Sequence, residues 1–262
     1  MLRQIGLNVS NQAEIEARAK EDLGFTVKQV AVDIPVILSR GLAQPKSLDI
    51  LDADHFMLPV LWPTENFQPI DSRRIHRWDD VIDIYKTGKL LRGSVRGAGH
   101  NPVLSQYVKG PASRSLDSAD EPTRWLTALP YLQSIESLGV RPDLAEPLLG
   151  RRVRRWSALV DPAFSGRAAL QDFPAVGYLD AALAFRSAGE ANYDDIGFPT
   201  KAEIDRTLKL LTELKRAGHW RALWGPFTES VNLMASGEVV IQSMWSQAVA
   251  AIKDLGIPAE AV

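Results

Sequence analysis

The sequence predicts an α/β fold in two halves, and three observations carry that reading. Strand and helix patterns alternate from Leu2 to Leu61, the alternation resumes after Trp156, and a loop-rich middle separates the two stretches. Strands spaced by helices of this length favour a parallel sheet with helices on both faces. Leu2 to Leu7 is apolar enough for a short buried strand, and Asn11 with Glu14 has the spacing of a capping box that opens a helix. Ile15, Ala19 and Leu23 then share one face, and Gly24 can take the left-handed conformation that ends it. Phe25 to Val32 alternates as a strand, and Asp33 with Pro35 opens a helix to about Leu42. Leu48 to Leu51 is a third strand and Asp54 to Leu61 a short third helix.

Between Gly88 and Trp125 glycine and proline recur and periodicity is lost after Leu91 to Val95, the mark of a binding or lid segment. Trp125 to Val140 is the natural crossing between domains, which places them at 1–130 and 131–262. Arg167 to Gln171 is the next strand. Asp172 with Pro174 opens a helix that buries Val176, Leu179 and Leu183 and is closed by Gly189. Thr200 and Glu203 form a second capping box ahead of the stripe Ile204, Leu208, Leu211 and Leu214, which ends at Gly218. Ser230 caps a short helix ending at Gly237, and Glu238 to Met244 is a strand. Trp245 stands where that strand turns into a helix running to Leu255 and Gly256. No internal repeat relates the halves.

The 262 residues carry 30 Lys+Arg against 32 Asp+Glu, a net charge of −2, which excludes binding of nucleic acid or anionic lipid through bulk charge. Partners must be sought at local sites. No apolar run approaches the ~20 residues that span a bilayer, so no insertion into a membrane is expected. The opening residues MLRQIGLNVS lack the basic and apolar regions of a signal peptide. The absence of cysteine removes disulfides, thiolate nucleophiles and Cys-ligated zinc together.

Catalytic signatures are thin. His55, His76, His100 and His219 are scattered, none with a second His at the helical spacing of a zinc site. Asp49, Asp52, Asp54 and His55 are the densest set of hard ligands, but they lack the glycine and distal glutamate of a calcium loop. Gly93, Gly97 and Gly99 precede no capped helix and no phosphate-binding lysine, and there is no Gly-x-Ser-x-Gly elbow. The expectation is a protein that is not an enzyme, with no metal and no cofactor.

What the sequence offers instead is tryptophan at element ends: Trp78, Trp156, Trp220, Trp224 and Trp245. In an open parallel sheet, ligands bind beyond the carboxyl ends of the strands. Four such junctions, Asn8 to Asn11, Asp52 to Phe56, Gln171 to Pro174 and Met244 to Ser246, put Asn8, Ser10, Asp54, His55, Asp172 and Trp245 within reach of a shared cleft, and Trp224 joins them. Taken singly, each Asn, Ser or Asp is as readily a helix cap and each Trp a core residue. Taken together, aromatic faces and carboxylates without a nucleophile suit capture of a cationic or polar solute better than bond-breaking.

The order of motifs resembles the bacterial extracellular solute-binding proteins of ABC transporters, in particular the spermidine/putrescine type. WSALVDPAFSGRAALQDFPAVGYLDAALAF, Trp156 to Phe185, is similar to the tryptophan-led segment that enters the family's second lobe. SLDILDADHFMLPVLWPTENFQPID, Ser47 to Asp71, resembles its first-lobe strand, pocket loop and helix. LMASGEVVIQSMWSQAV, Leu233 to Val249, resembles the stretch whose tryptophan lines the pocket, and LPYLQSIESLGVRPD, Leu129 to Asp143, the crossover.

The resemblance implies a two-lobed, periplasmic-binding-protein-like fold of type II, hinged to close on a small solute in the interlobe cleft and to dock on a membrane permease. It puts Asp172 and Trp245 at pocket positions and His55 or Phe56 at an aromatic one, and it implies a periplasmic location. The polyamine binders carry aromatics where this chain has Asn8, Val9 and Ser10, and an acidic residue where it has Val176. The implied solute is therefore small and polar or cationic, with polyamine one member of that class. Family members continue past the position of Val262, so the return of the chain to the first lobe is expected to be missing. An enzyme or a ligand-sensing module on the same fold is the alternative.

Overall fold

In the computed structural model, which describes residues 1–7, 10–91, 94, 99, 101–116, 122–133 and 135–262, the chain divides into two units, Met1–Gln133 and Ser134–Val262. The first unit is built on β1 (Leu2–Gly6), α1 (Ala13–Leu23), β2 (Val27–Ala31), α2 (Ile34–Ala43) and β3 (Ile50–Leu51). The three strands form a parallel sheet in the order β2-β1-β3. Gly24, at a φ of 72°, ends α1 by donating its N–H to Lys20 O.

The expected Asn11–Glu14 capping box does not form. The N-cap is Gln12, the first turn is closed by Ile15 N–H to Gln12 O, and Asn11 Oδ1 is buried with no hydrogen-bond partner among the described residues. The expected stripe on α1 is also incomplete. Ala19 is buried while Leu23 is 65% exposed, because the helix leans on the edge strand β2 rather than across the sheet.

α2 begins after Asp33 with Pro35 in its first turn and buries Ile34, Ile37 and Gly41. A Cβ at Gly41 would stand 2.7 Å from Leu61 Cδ2, which shows how closely α2 lies on the helical turn that follows β3. That turn is a 3-10 segment, His55–Met57, running into α3 (Leu58–Leu61). The unit closes with β4 (Ile70–Asp71), α4 (Asp83–Thr87), α5 (Val103–Gln106), β5 (Tyr107–Val108) and β6 (Trp125–Leu126). Here β4 and β5 flank β6 in an antiparallel sheet around buried Val103, Tyr107 and Leu126. The span from Gly88 to Trp125 is therefore not loop throughout. α5 and β5 fold back into a small core, and a strand of two residues carries no periodicity to announce it. Gly93, Gly97 and His100 lie outside the described residues.

The second unit contains β7 (Glu136–Val140), α6 (Pro142–Leu149), β8 (Ala168–Gln171), α7 (Pro174–Ala188), α8 (Lys201–Arg216), β9 (Trp220–Trp224), α9 (Phe227–Ala235), β10 (Ile241–Trp245), α10 (Ser246–Asp254) and β11 (Glu260–Ala261). Its sheet runs β11-β7-β10-β8-β9. β8, β9 and β10 are parallel, and β7 runs against both β10 and β11. The carboxyl ends of β8, β9 and β10 therefore share one edge of the sheet. Leu138, Leu159, Phe164, Phe185 and Ile241 are among the fully buried core.

The Thr200–Glu203 box forms in both directions and starts α8. Three other expectations shift. α8 buries Thr207 and Leu210 while Leu208 is 52% exposed, so its inner face is rotated from the apolar stripe. Ser230 is no cap. It lies inside α9, which starts after Pro226, and its hydroxyl donates to Phe227 O. α7 buries Gly177, Asp180, Ala181, Ala184 and Phe185 in place of the larger Val176, Leu179 and Leu183. The reason is close approach: a Cβ on Gly177 would stand 2.2 Å from Gln171 O.

Gly177→Ala is expected to cost about 3 kcal/mol, the upper range for overpacking, since its obstacle is backbone rather than a movable side chain. Urea unfolding measures it, and an unchanged midpoint would contradict this packing.

Candidate ligand-binding site

In the first unit the carboxyl ends of β1 and β3 meet at Gly6. A Cβ there would lie 2.7 Å from Asp52 Oδ2 and 3.0 Å from Ser10 Oγ, so only glycine lets the two approach the strand end together. Asp52 is held by its own N–H, which donates to Ile5 O at 2.8 Å and prolongs the β1–β3 pairing. Ser10 is 3% exposed. Its hydroxyl donates to Leu7 O at 2.8 Å, and its carbonyl accepts from the Tyr131 hydroxyl at 2.8 Å.

Two carboxylates stand here in an unusual state. Asp52 Oδ2 and Asp54 Oδ2 are both buried and have no hydrogen-bond partner among the described residues. Burial pushes the Asp52 carboxyl up, with the Ser10 hydroxyl partly offsetting it. Burial, reinforced by the charge of Asp52, pushes Asp54 up to about 6. Burial and the same Asp52 charge raise the Tyr131 hydroxyl. Asp54 occupies the N-cap position of the His55–Met57 turn but makes no side-chain cap bond. The bland role of a helix cap therefore does not account for it. His55 and Phe56 are half-buried, their rings edge-on at 6.1 Å. Asn8 lies outside the described residues.

In the second unit the shared strand edge carries the aromatics. Trp245 ends β10 and is 8% exposed, Trp224 ends β9 and is fully buried, and their rings meet at 90° and 5.7 Å. Phe227, in the first turn of α9, stacks on Trp245 at 6.1 Å and 18°. Trp224 Nε1 donates to Ser243 O at 3.1 Å, so its polar atom and ring are both engaged. Enclosed in this way, Trp224 supports Trp245 and does not present a face of its own. Asp172 is exposed. Its N–H donates to Trp224 O at 2.7 Å, which ties the end of β8 to the end of β9, but Phe173, not Asp172, is the N-cap of α7.

Beneath this edge Ser243 Oγ accepts the Gln171 N–H at 3.1 Å. Asp180 on α7 is fully buried with neither oxygen hydrogen-bonded among the described residues. Burial pushes its carboxyl up to about 7, against a lowering by the Ser243 hydroxyl.

The structure thus groups Ser10, Asp54, His55 and Phe56 in one unit and Asp172, Trp224 and Trp245 in the other. It adds Asp52, Tyr131 and Phe227. Asp52 was visible in sequence as one of a run of acids and as the start of a strand-end junction. Tyr131 carried no signal because it reaches Ser10 from 121 residues away, and Phe227, three residues past the end of β9, was passed over because its partner Trp245 ends a different strand. Asp49 leaves the set of hard ligands: it pairs with Arg3 at 2.9 Å, and the guanidinium holds its carboxyl down at about 2. Among the described residues no group of three or more His, Asp or Glu side chains is placed to hold a metal ion. His219 is a core residue, 2% exposed, its Nε2 at 2.8 Å from Leu159 O. The first unit thus carries buried carboxylates at its strand ends and the second a cluster of aromatic rings at its own.

Residues 17–262 match the family of bacterial extracellular solute-binding proteins. No curated protein matches the chain. Among solved structures, the chain is similar over 100% of its length to 68% of an ABC transporter substrate-binding protein from Bradyrhizobium japonicum, at a TM-score of 0.55 and 17% identity. It is similar in the same way to 67% of the spermidine/putrescine ABC transporter substrate-binding protein PotD from Streptococcus pneumoniae, at 0.62 and 14%. An ABC transporter from Rhodopseudomonas palustris gives 0.58 and 15%, again over 100% of this chain and 67% of that one. At these identities the likeness is one of fold, the α/β fold of the two-lobed periplasmic binding proteins.

A carboxyl whose pKa is raised in the native state binds its proton more tightly there than in the unfolded chain. Its contribution to stability is present at low pH and is lost as the pH climbs from the ordinary 3.8 through about 6 for Asp54. Asp54→Asn is therefore expected to stabilise the unliganded protein by about 2 kcal/mol at neutral pH and to be without effect below pH 3.8. Thermal unfolding across that range is the measurement, and a gain of equal size at both ends would show that Asp54 ionises normally.

Proposed function

Because the chain belongs to the bacterial extracellular solute-binding proteins, we propose that it is the substrate-binding component of an ABC transporter, capturing a small cationic or polar solute at its strand ends and handing it to a membrane permease. Members of this family bind their solutes and do not convert them, so the chain is not an enzyme. It works, in this reading, in the periplasm.

The observation that carries the choice of solute is the buried Asp54 Oδ2, without a hydrogen-bond partner among the described residues, beside Asp52, whose carboxyl has only the Ser10 hydroxyl near it. A buried carboxylate without a partner costs folding free energy, and an ammonium group donating to it would return that loss as binding. The Trp245–Phe227 stack, with Phe227 half-buried at its rim, supplies apolar area for the alkyl part of an amine solute. PotD, similar in fold, is named for spermidine and putrescine. Polyamines are accordingly the first solutes to try, with other small amines beside them.

The test is a thermal-shift and calorimetric screen of spermidine, putrescine and a panel of small amines, amino acids and sugars. A ligand at about 100 times its Kd should stabilise the protein by roughly 2.7 kcal/mol. An amine should be the ligand, and Trp245→Ala, compared below its lowered unfolding midpoint because a buried tryptophan is truncated, should weaken binding at least about tenfold through loss of the stack. A response only to sugars or acids would remove the amine assignment, and turnover of any ligand would remove the receptor reading.

Acidification provides a further check. As pH falls through about 6 the Asp54 proton competes with the solute, so amine affinity should drop there in the native protein and stay flat in Asp54→Asn, which starts weaker. A pH-independent affinity in the native protein would separate the amine from Asp54.

A further inference from the structure

We propose that the segment Arg151–Arg155 is an electrostatic docking surface for the anionic phospholipid headgroups of a membrane. α6 ends at Gly150, at a φ of 72°, and the next five residues read Arg-Arg-Val-Arg-Arg. Val153 is 3% exposed and belongs to the core of the second unit, while the four arginines around it are exposed. Arg152 is taken by Glu260, at 2.8 Å. Arg151, Arg154 and Arg155 make no ion pair and no side-chain hydrogen bond among the described residues.

A guanidinium cannot shed its proton to escape a like-charged neighbour. The loop cannot spread its charges either, since Val153 anchors its centre and the 3-10 segment Trp156–Val160 begins at once behind it. Glu260 and Glu146 act on Arg152, which leaves three positive charges without an ion pair displayed from a fixed loop, and an anion from outside would relieve their repulsion. The net charge of −2 rules out attraction by the molecule as a whole, so the effect is local.

Its place in the fold separates it from the solute. Glu260, the partner of Arg152, lies opposite Val140, which pairs with Ile241, the first residue of β10. Trp245 is the last residue of that strand. The arginines therefore stand at the amino-terminal end of β10, on the edge of the sheet away from the aromatic platform.

A headgroup layer is favoured over an acidic protein for a reason visible in the loop. A protein partner needs a desolvated apolar centre to dock on, and within the segment the one apolar side chain, Val153, is turned inward, with Leu148 the nearest exposed apolar residue before it in the chain. A plane of lipid phosphates needs only clustered cationic side chains.

The experiment is co-sedimentation of the full chain with vesicles of phosphatidylglycerol in phosphatidylcholine, and with phosphatidylcholine alone. Binding is expected to the anionic vesicles only, strong at 0.01 M salt, where the screening length is about 30 Å, and lost at 1 M, where it is about 3 Å. The combined Arg151→Ser, Arg154→Ser and Arg155→Ser variant should bind the vesicles on the order of 100-fold more weakly. Its circular dichroism and its response to amines should be unchanged, which keeps failure here distinct from failure of solute capture. Lysine at the same three positions should preserve binding. Equal association with both vesicle types, retention by the serine variant, or tighter capture by polyglutamate or duplex DNA than by the anionic vesicles would each overturn the proposal.

Discussion

At the carboxyl end of a strand in each unit, a glycine lets other groups come closer than any Cβ permits, and the rest of the arrangement depends on that approach. Gly6 admits Asp52 and Ser10 to the end of β1. Gly177 lets α7 settle on the carbonyl of Gln171, the last residue of β8. In the first unit the approach draws the Asp52 carboxylate in beside Ser10. In the second it brings the buried face of α7, with Asp180 on it, beneath the strand edge that carries Trp224 and Trp245. Backbone without side chains thus decides where the polar and aromatic groups stand.

The electrostatic consequence differs between the units. Asp52 and Asp54 are half-buried with their Oδ2 atoms turned inward, and burial raises the pKa of both carboxyls. Asp180 is sealed. Its carboxyl, near Ser243 and without a hydrogen bond, is held toward the neutral form and is a packing element rather than a ligand contact. The same chemical group serves two purposes because burial is partial in one place and complete in the other.

The aromatic platform is rigid because Trp245 is held on one side by Trp224, whose indole N–H is fixed on Ser243 O, and on the other by Phe227. If the proposed solute seats on it, a preformed surface of this sort loses little conformational entropy on binding.

Much of the scaffold was legible in the chain itself. Alternation of strand and helix, the Thr200–Glu203 box and the left-handed glycines at positions 24 and 189 are local signals, and local hydrogen bonding decides them wherever the segment is placed. The collinear motifs carried the family for the same reason, since each is a contiguous stretch. Trp245 and Asp54 were visible because strand ends are visible. What only tertiary structure decided were properties set by neighbours distant in sequence: that Trp224 is enclosed, that Asp52 joins Asp54 beside Tyr131, that Phe227 stacks on Trp245, and that α7 turns its small residues inward. Periodicity tells which side chains share a face, but burial and pKa depend on what that face meets, and contacts across a sheet are written in no single segment of the sequence.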